Sequence, residues 1–165
     1  MREGVSQEAD AILDDWYPGM QGGNAVADGL FGDYNPAGRL TLSVPRSVGQ
    51  LPVYYNTKRK GNRSRYIEEA GTPRYPFGYG LSYTMFSYTG MKVRVSEESN
   101  HCRVDVSVTV RNQGTVAGDE VVQLSLRDEI GSFTTLDRQL RAFSPVPLKA
   151  GEDPGIKLSP VQDEV

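Results

Sequence analysis

Arg103-Val104-Asp105-Val106-Ser107-Val108-Thr109-Val110-Arg111 alternates valine with polar or charged residues along its whole length. In extended chain, successive side chains point to opposite faces, so Val104, Val106, Val108 and Val110 share one face and the polar set shares the other. This is the signature of a half-buried β-strand. Asn112-Gln113-Gly114 then supplies a turn, and Val122, Leu124 and Leu126 alternate with Gln123, Ser125 and Arg127 as the next strand of an antiparallel sheet would. Residues 86–95 read as an opening strand, and residues 140–148 and 156–158 carry the same pattern more weakly. Short strands at this spacing predict an immunoglobulin-like sandwich. A complete one has about seven strands, and this reading finds about five, so the sandwich is expected to be cut short.

Working toward the N-terminus, the composition changes. Residues 1–82 are rich in glycine, proline and tyrosine, which places a boundary near residues 83–88 and predicts two units, 1–82 and 83–165. Ala11-Ile12-Leu13 runs into Asp14-Asp15-Trp16-Tyr17 and is stopped by Pro18-Gly19, which reads as a buried strand feeding a loop. Beyond Gly22-Gly23, Asn24 is placed to cap a helix in which Val26 and Leu30, and Ala27 and Phe31, lie four apart on one face, ending at Gly32. The turn cluster Asp33-Tyr34-Asn35-Pro36-Ala37-Gly38 leads to a strand in which Leu40, Leu42 and Val44 alternate with Thr41 and Ser43 until Pro45 withdraws a backbone donor. Strand-helix-strand units build parallel sheets with helices on their faces. So little material cannot cover both faces of such a sheet, so other strands must come from elsewhere. The expected fold class is mixed α+β: a partial α/β sandwich followed by an incomplete immunoglobulin-like β-sandwich.

Bulk properties narrow the function. The chain has 165 residues, enough for one ordinary domain or two small ones, with a net charge of −3 and no basic stripe of the kind that neutralises a phosphate backbone or an anionic bilayer. Nucleic acid and membrane are not expected partners. No window approaches the roughly 18 apolar residues that cross a bilayer. Met1-Arg2-Glu3-Gly4 lacks the apolar centre of a signal peptide, so the chain as written is expected to be soluble and untargeted. Cys102 and His101 are the only cysteine and histidine. An internal disulfide and a thiolate or imidazole metal cluster are therefore excluded, and neighbours in a strand face opposite ways. No metal or cofactor is expected.

Three segments carry a family resemblance. They are Asp15-Trp16-Tyr17-Pro18-Gly19 through Gly22-Gly23-Asn24-Ala25, Leu30-Phe31-Gly32-Asp33-Tyr34-Asn35-Pro36-Ala37-Gly38-Arg39-Leu40, and Tyr75-Pro76-Phe77-Gly78-Tyr79-Gly80-Leu81-Ser82-Tyr83-Thr84. Together they resemble family 3 glycoside hydrolases, the β-glucosidases and β-xylosidases. Val110-Arg111-Asn112-Gln113-Gly114 and Ala117-Gly118-Asp119-Glu120-Val121-Val122-Gln123-Leu124 resemble that family's fibronectin type III-like domain, so the likeness spans nearly the whole chain. These motifs also have plain structural uses: Gly32 and Gly38 suit positive φ around the Asn35-Pro36 turn, and Gly78 and Gly80 let aromatic neighbours approach the backbone.

The resemblance implies a parent that retains anomeric configuration, with two carboxyl groups about 5 to 5.5 Å apart. It further implies a nucleophile in an N-terminal barrel, an acid/base upstream of the Trp16-Tyr17-Pro18-Gly19 segment, and a periplasmic or secreted location. This chain is then expected to be a C-terminal part with no catalytic residue, whose parent acts on β-linked glucosides or xylosides. Asp14 and Asp15 at a strand end and Glu68-Glu69 in a loop are the remaining carboxylate candidates, each with a bland alternative as a solvated turn or a charged loop. Lys58, Arg59, Lys60, Arg63 and Arg65 form a basic surface loop that either overhangs the parent's site or does nothing specific. Trp16 and Tyr79 offer aromatic faces suited to a pyranose, or pack at a domain interface. The rival reading is a stand-alone carbohydrate- or protein-binding β-sandwich.

Overall fold

The computed structural model describes residues 8–58, 70–98, 101–130 and 135–159. Helix α1 (Gly22–Phe31) is closed by Gly32 in the left-handed conformation at φ 86°. Only glycine adopts that conformation without steric cost, which is why the helix stops where the sequence predicts. The start differs. Gln21 is the N-cap, without a side-chain capping bond, and Asn24 lies inside the helix and donates from Nδ2 to Gln21 Oε1 at 2.6 Å. Gly22 permits the earlier start because a Cβ there would collide with Pro18.

The expected strand at residues 11–13 does not form: the segment pairs with nothing among the described residues, and Ile12 and Leu13 are 40% and 44% exposed. Residues 40–44 do not form the expected strand either: the chain bends at Thr41 and Leu42, and its neighbour is the returning segment 75–79, bridged antiparallel rather than parallel at Val44. Val44 N donates to Tyr75 O at 2.8 Å, Leu40 N to Tyr79 O at 2.8 Å and Gly78 N to Leu40 O at 2.7 Å. Ser43, expected to face outward, is buried instead, and its Oγ accepts from Phe77 N. A hydroxyl inside the loop stack satisfies a backbone donor that the short ladder leaves unpaired.

The second half follows its alternation closely. Strands β1 (Phe86–Glu98), β2 (His101–Asn112), β3 (Gly118–Leu126), β4 (Gln139–Leu148) and β5 (Gly155–Leu158) form two antiparallel sheets, ordered β1-β2-β5 and β3-β4. The register runs Phe86↔Asn112 to Glu98↔His101 in the first pair, with an irregularity between Thr89 and Lys92 around the positive-φ Gly90. The second sheet is registered from Gly118↔Leu148 to Leu126↔Gln139.

Between the sheets lie Val110, Val122, Val146, Leu148 and Leu158, all buried, with Phe86, Val108 and Ile156 against them. The valine face of β2 therefore builds the core. The three-stranded sheet is wider than its partner, and the far half of β1 is left exposed, with Val93 and Val95 more than half accessible. The architecture of the described residues is mixed: helix α1 and a short 3-10 turn with irregular paired loops, followed by a β-sandwich.

Candidate functional site

The best-organised polar chemistry lies where the loop at residues 35–39 meets the sandwich. Asn35 Nδ2 donates to Ala117 O at 2.9 Å, while its Oδ1 accepts from Ser82 Oγ and from Tyr83 N, both at 2.9 Å. Tyr83 donates its hydroxyl to Gly29 O on α1 at 2.5 Å. Arg39 Nη2 pairs with Glu120 Oε2 at 2.7 Å, and Tyr88 donates its hydroxyl to Glu120 Oε1 at 2.7 Å. Burial, the bond to Glu120 and the charge of Glu120 hold the Tyr88 phenol well above the usual tyrosine range, with Arg39 opposing them. Both side chains of the ion pair keep only 11% of their surface.

Glycines allow this closeness. A Cβ on Gly80 would run into Gly38 O and lie 2.9 Å from Arg39 Cδ, so backbone, not an aromatic ring, makes the close approach there. Gly78 has a φ of 80°, as a tight turn requires, whereas Gly38 does not take the positive φ expected of it.

The residues singled out from sequence lie apart from this junction. Asp14 and Asp15 are exposed, and Asp14 Oδ1 accepts from Trp16 N at 3.3 Å across a local turn in which Trp16 takes a φ of 51°. Trp16 is half exposed; Tyr79 is partly covered and stacks on Tyr75 with ring centroids 5.3 Å apart. Lys58 pairs in an isolated bridge with Leu136, beside a bond from Asp137 N to Thr57 O at 2.8 Å. Arg59, Lys60, Arg63, Arg65, Glu68 and Glu69 lie outside the described residues. Residues 70–72 are anchored: Gln50 Nε2 donates to Ala70 O and Thr72 O, and Arg46 Nε donates to Thr72 O. His101 and Cys102 are consecutive in β2. No group of three or more metal-ligating side chains occurs among the described residues.

Two open clefts exist among the described residues. One, of about 580 Å³, lies over the junction and has Glu120 as its only carboxylate. The other, of about 710 Å³, runs past Tyr54, Tyr55, Lys58 and Arg138 and has Asp137 as the only carboxylate among its described lining residues. Glycoside hydrolysis with retention needs two carboxyls facing one bond. Glu120, moreover, has both oxygens engaged, one by the Arg39 guanidinium and the other by the Tyr88 hydroxyl, which leaves neither oxygen free to approach a sugar.

Sequence reading passed over Glu120. The signal was its phase, since it falls on the same face of β3 as Val122 and Leu124, where a lone charge is out of place.

A profile of the glycosyl hydrolase family 3 C-terminal domain matches residues 1–83 of the 165. The chain belongs to glycosyl hydrolase family 3. The periplasmic beta-glucosidase of Salmonella typhimurium is 47% identical over 156 residues, covering 88% of this chain and 20% of that protein. A beta-xylosidase of Formosa agariphila is 42% identical over 151 residues, covering 90% of this chain and 21% of that protein. The structure of the β-glucosidase EmGH1 from Erythrobacter marinus superposes with a TM-score of 0.87 at 45% identity, covering 94% of this chain and 20% of that one. The chain thus spans about a fifth of the length of these relatives. No described helix is long and apolar enough to cross a membrane.

Proposed function

We propose that this chain is the non-catalytic C-terminal part of a retaining family 3 enzyme that hydrolyses terminal β-D-glucosides or β-D-xylosides. Residues 1–82 contribute to its α/β domain, and residues 83–165 form a fibronectin type III-like buttress. The observation that carries this reading is that each of the two clefts offers a single carboxylate among its described lining residues, and that the more buried one, Glu120, is committed to Arg39 and Tyr88. The names of the relatives supply the reaction class and both substrate classes, and the Salmonella protein's periplasmic designation supports an exported parent.

The parent's barrel and remaining α/β strands are the partner in this reading. The apolar surface of Ile12, Leu13, Tyr17, Met20, Leu30 and Phe31, all 40% exposed or more, is where they would pack. β-Linked oligosaccharide is the ligand of the assembled enzyme rather than of this part.

The test is an assay of the purified chain with aryl β-glucoside and aryl β-xyloside, expected to show no turnover. Turnover that Asp15→Asn or Glu68→Gln abolishes would sink the reading. Saturable binding of cello- or xylo-oligosaccharide that is lost on Trp16→Ala or Tyr79→Ala would favour a binding module instead.

A further inference from the structure

Glu120 is on the inward side of β3, in phase with the buried Val122, and meets Tyr88 near the start of β1. A carboxylate there is tolerated only if something neutralises it, because an unpaired charge removed from water is among the costliest features a fold can carry. Its neutralising group comes from 81 residues earlier in the chain, on the loop at residues 35–39. That loop presents Arg39 already aimed, with Nη1 donating to Ala37 O at 3.0 Å and to Gly38 O at 3.2 Å. Gly80 closes over it with no room for a side chain.

The contacts beside the pair are of a different kind. Asn35 to Ala117 O and Gln123 Nε2 to Gly78 O, at 2.9 and 3.0 Å, are neutral bonds that hold two surfaces together without penalising either surface alone. Of these contacts, Glu120 is the one that leaves a charge on the inward face of a strand when its partner is absent.

We propose that Glu120 makes the sandwich's stability conditional on docking. Until residues 35–39 deliver Arg39, the inward carboxylate opposes closure of the two sheets, so the family 3 segment and the sandwich fold and open as one unit. The pair selects the docked arrangement rather than adding much stability to it, since a buried ion pair roughly offsets its own desolvation.

The experiment is hydrogen exchange on the full 165-residue chain, read by mass spectrometry in peptides from β2, β3 and residues 35–45. Arg39→Met is expected to lower protection in β2 and β3 by about tenfold or more, because it strands the carboxylate. Arg39→Met combined with Glu120→Met is expected to restore both strands to within about threefold of the parent, a non-additive outcome that independent sites do not give. In that double variant, residues 35–45 should exchange faster than β2, since the coupling is gone. Parental protection of β3 in Arg39→Met overturns the proposal, and so does a double variant as unprotected as the single. If Arg39→Met fails to fold, the double variant decides alone: a protected sandwich supports the proposal and an unfolded chain rejects it.

Discussion

Thr84 donates its hydroxyl to Oδ1 of Asn112 at 2.5 Å, and Asn112 is fully buried between the two sheets. The same oxygen accepts from Gly114 N at 3.0 Å, while Nδ2 donates to Val116 O at 2.8 Å and to Leu148 O at 3.3 Å. One side chain therefore ties the segment entering β1, the β2–β3 turn and the end of β4. Asn112→Leu leaves those backbone groups buried and unpaired, and the expected loss of stability is about 3 kcal/mol. Thr84→Val removes one donor and should cost about 1 kcal/mol. Urea unfolding of the two variants beside the parent checks the order; equal losses would mean that Asn112 is only a turn residue.

Gly78 and Gly151 have nearly the same backbone, with φ of 80° and 76°, but different surroundings. A Cβ on Gly151 meets nothing within 4 Å, whereas one on Gly78 runs into the side-chain amide of Gln123, the group that donates to Gly78 O. Gly151→Ala is expected to cost about 1 kcal/mol for the left-handed backbone alone. Gly78→Ala should cost about 2 kcal/mol or more, because displacing Gln123 adds to the same backbone penalty. Thermal midpoints that fall equally in the two variants would show that the Gln123 contact contributes nothing.

How much of this was legible follows from where each residue's partner lies. The longer strands of the second half were readable because β1 pairs with β2 and β3 with β4, each the next strand in sequence, and alternating valines at 104–110 need only a core beside them. Residues 11–13 and 40–44 failed because a parallel-strand reading depends on neighbours that are not within the described chain. Residues 40–44 instead took the partner available at 75–79. The helix end was fixed by one local fact, the handedness of Gly32, whereas its beginning depended on Pro18 packing against Gly22. Arg39 and Glu120 were invisible as a pair because no local pattern links positions so far apart. Only the wrong phase of Glu120 within an apolar face hinted at it.

Asp105 gives the sandwich an acid-sensitive contact. Hydrogen bonds from Ser159 and then Arg103 hold its carboxyl below the usual aspartate range, although its side chain is 43% exposed. A carboxyl with a lower pKa in the folded state stabilises the fold above its unfolded value of about 3.9, and that contribution fades as pH falls through the folded value. Asp105→Asn should therefore lose less stability than the parent when the pH drops below about 4. The comparison is of urea midpoints at neutral and acid pH. Solvent exposure keeps the difference small, but parallel curves for the two proteins would remove Asp105 from the acid response.

Tyr88 predicts the opposite limb. Its phenol is held protonated by burial and by the Glu120 carboxylate that accepts its hydrogen, so its pKa is raised on folding. A raised value stabilises the fold fully below the unfolded tyrosine pKa of about 10, and the benefit is lost as pH climbs from there through the folded value. Deprotonation would set a phenolate against Glu120 with only Arg39 to offset two negative charges. Tyr88→Phe loses the bond to Glu120, so it should be less stable than the parent at neutral pH. It should also be flatter on the alkaline side, and the two curves should converge above about pH 10. The ring is 48% exposed, so solvent moderates the slope. The chain has nine tyrosines, and only the difference between parent and Tyr88→Phe isolates this one. Denaturant midpoints measured across that range, with ultraviolet titration of the phenols alongside, provide the check. If the gap between the two proteins stays constant through the tyrosine titration, Tyr88 is not the group whose ionisation opens the junction.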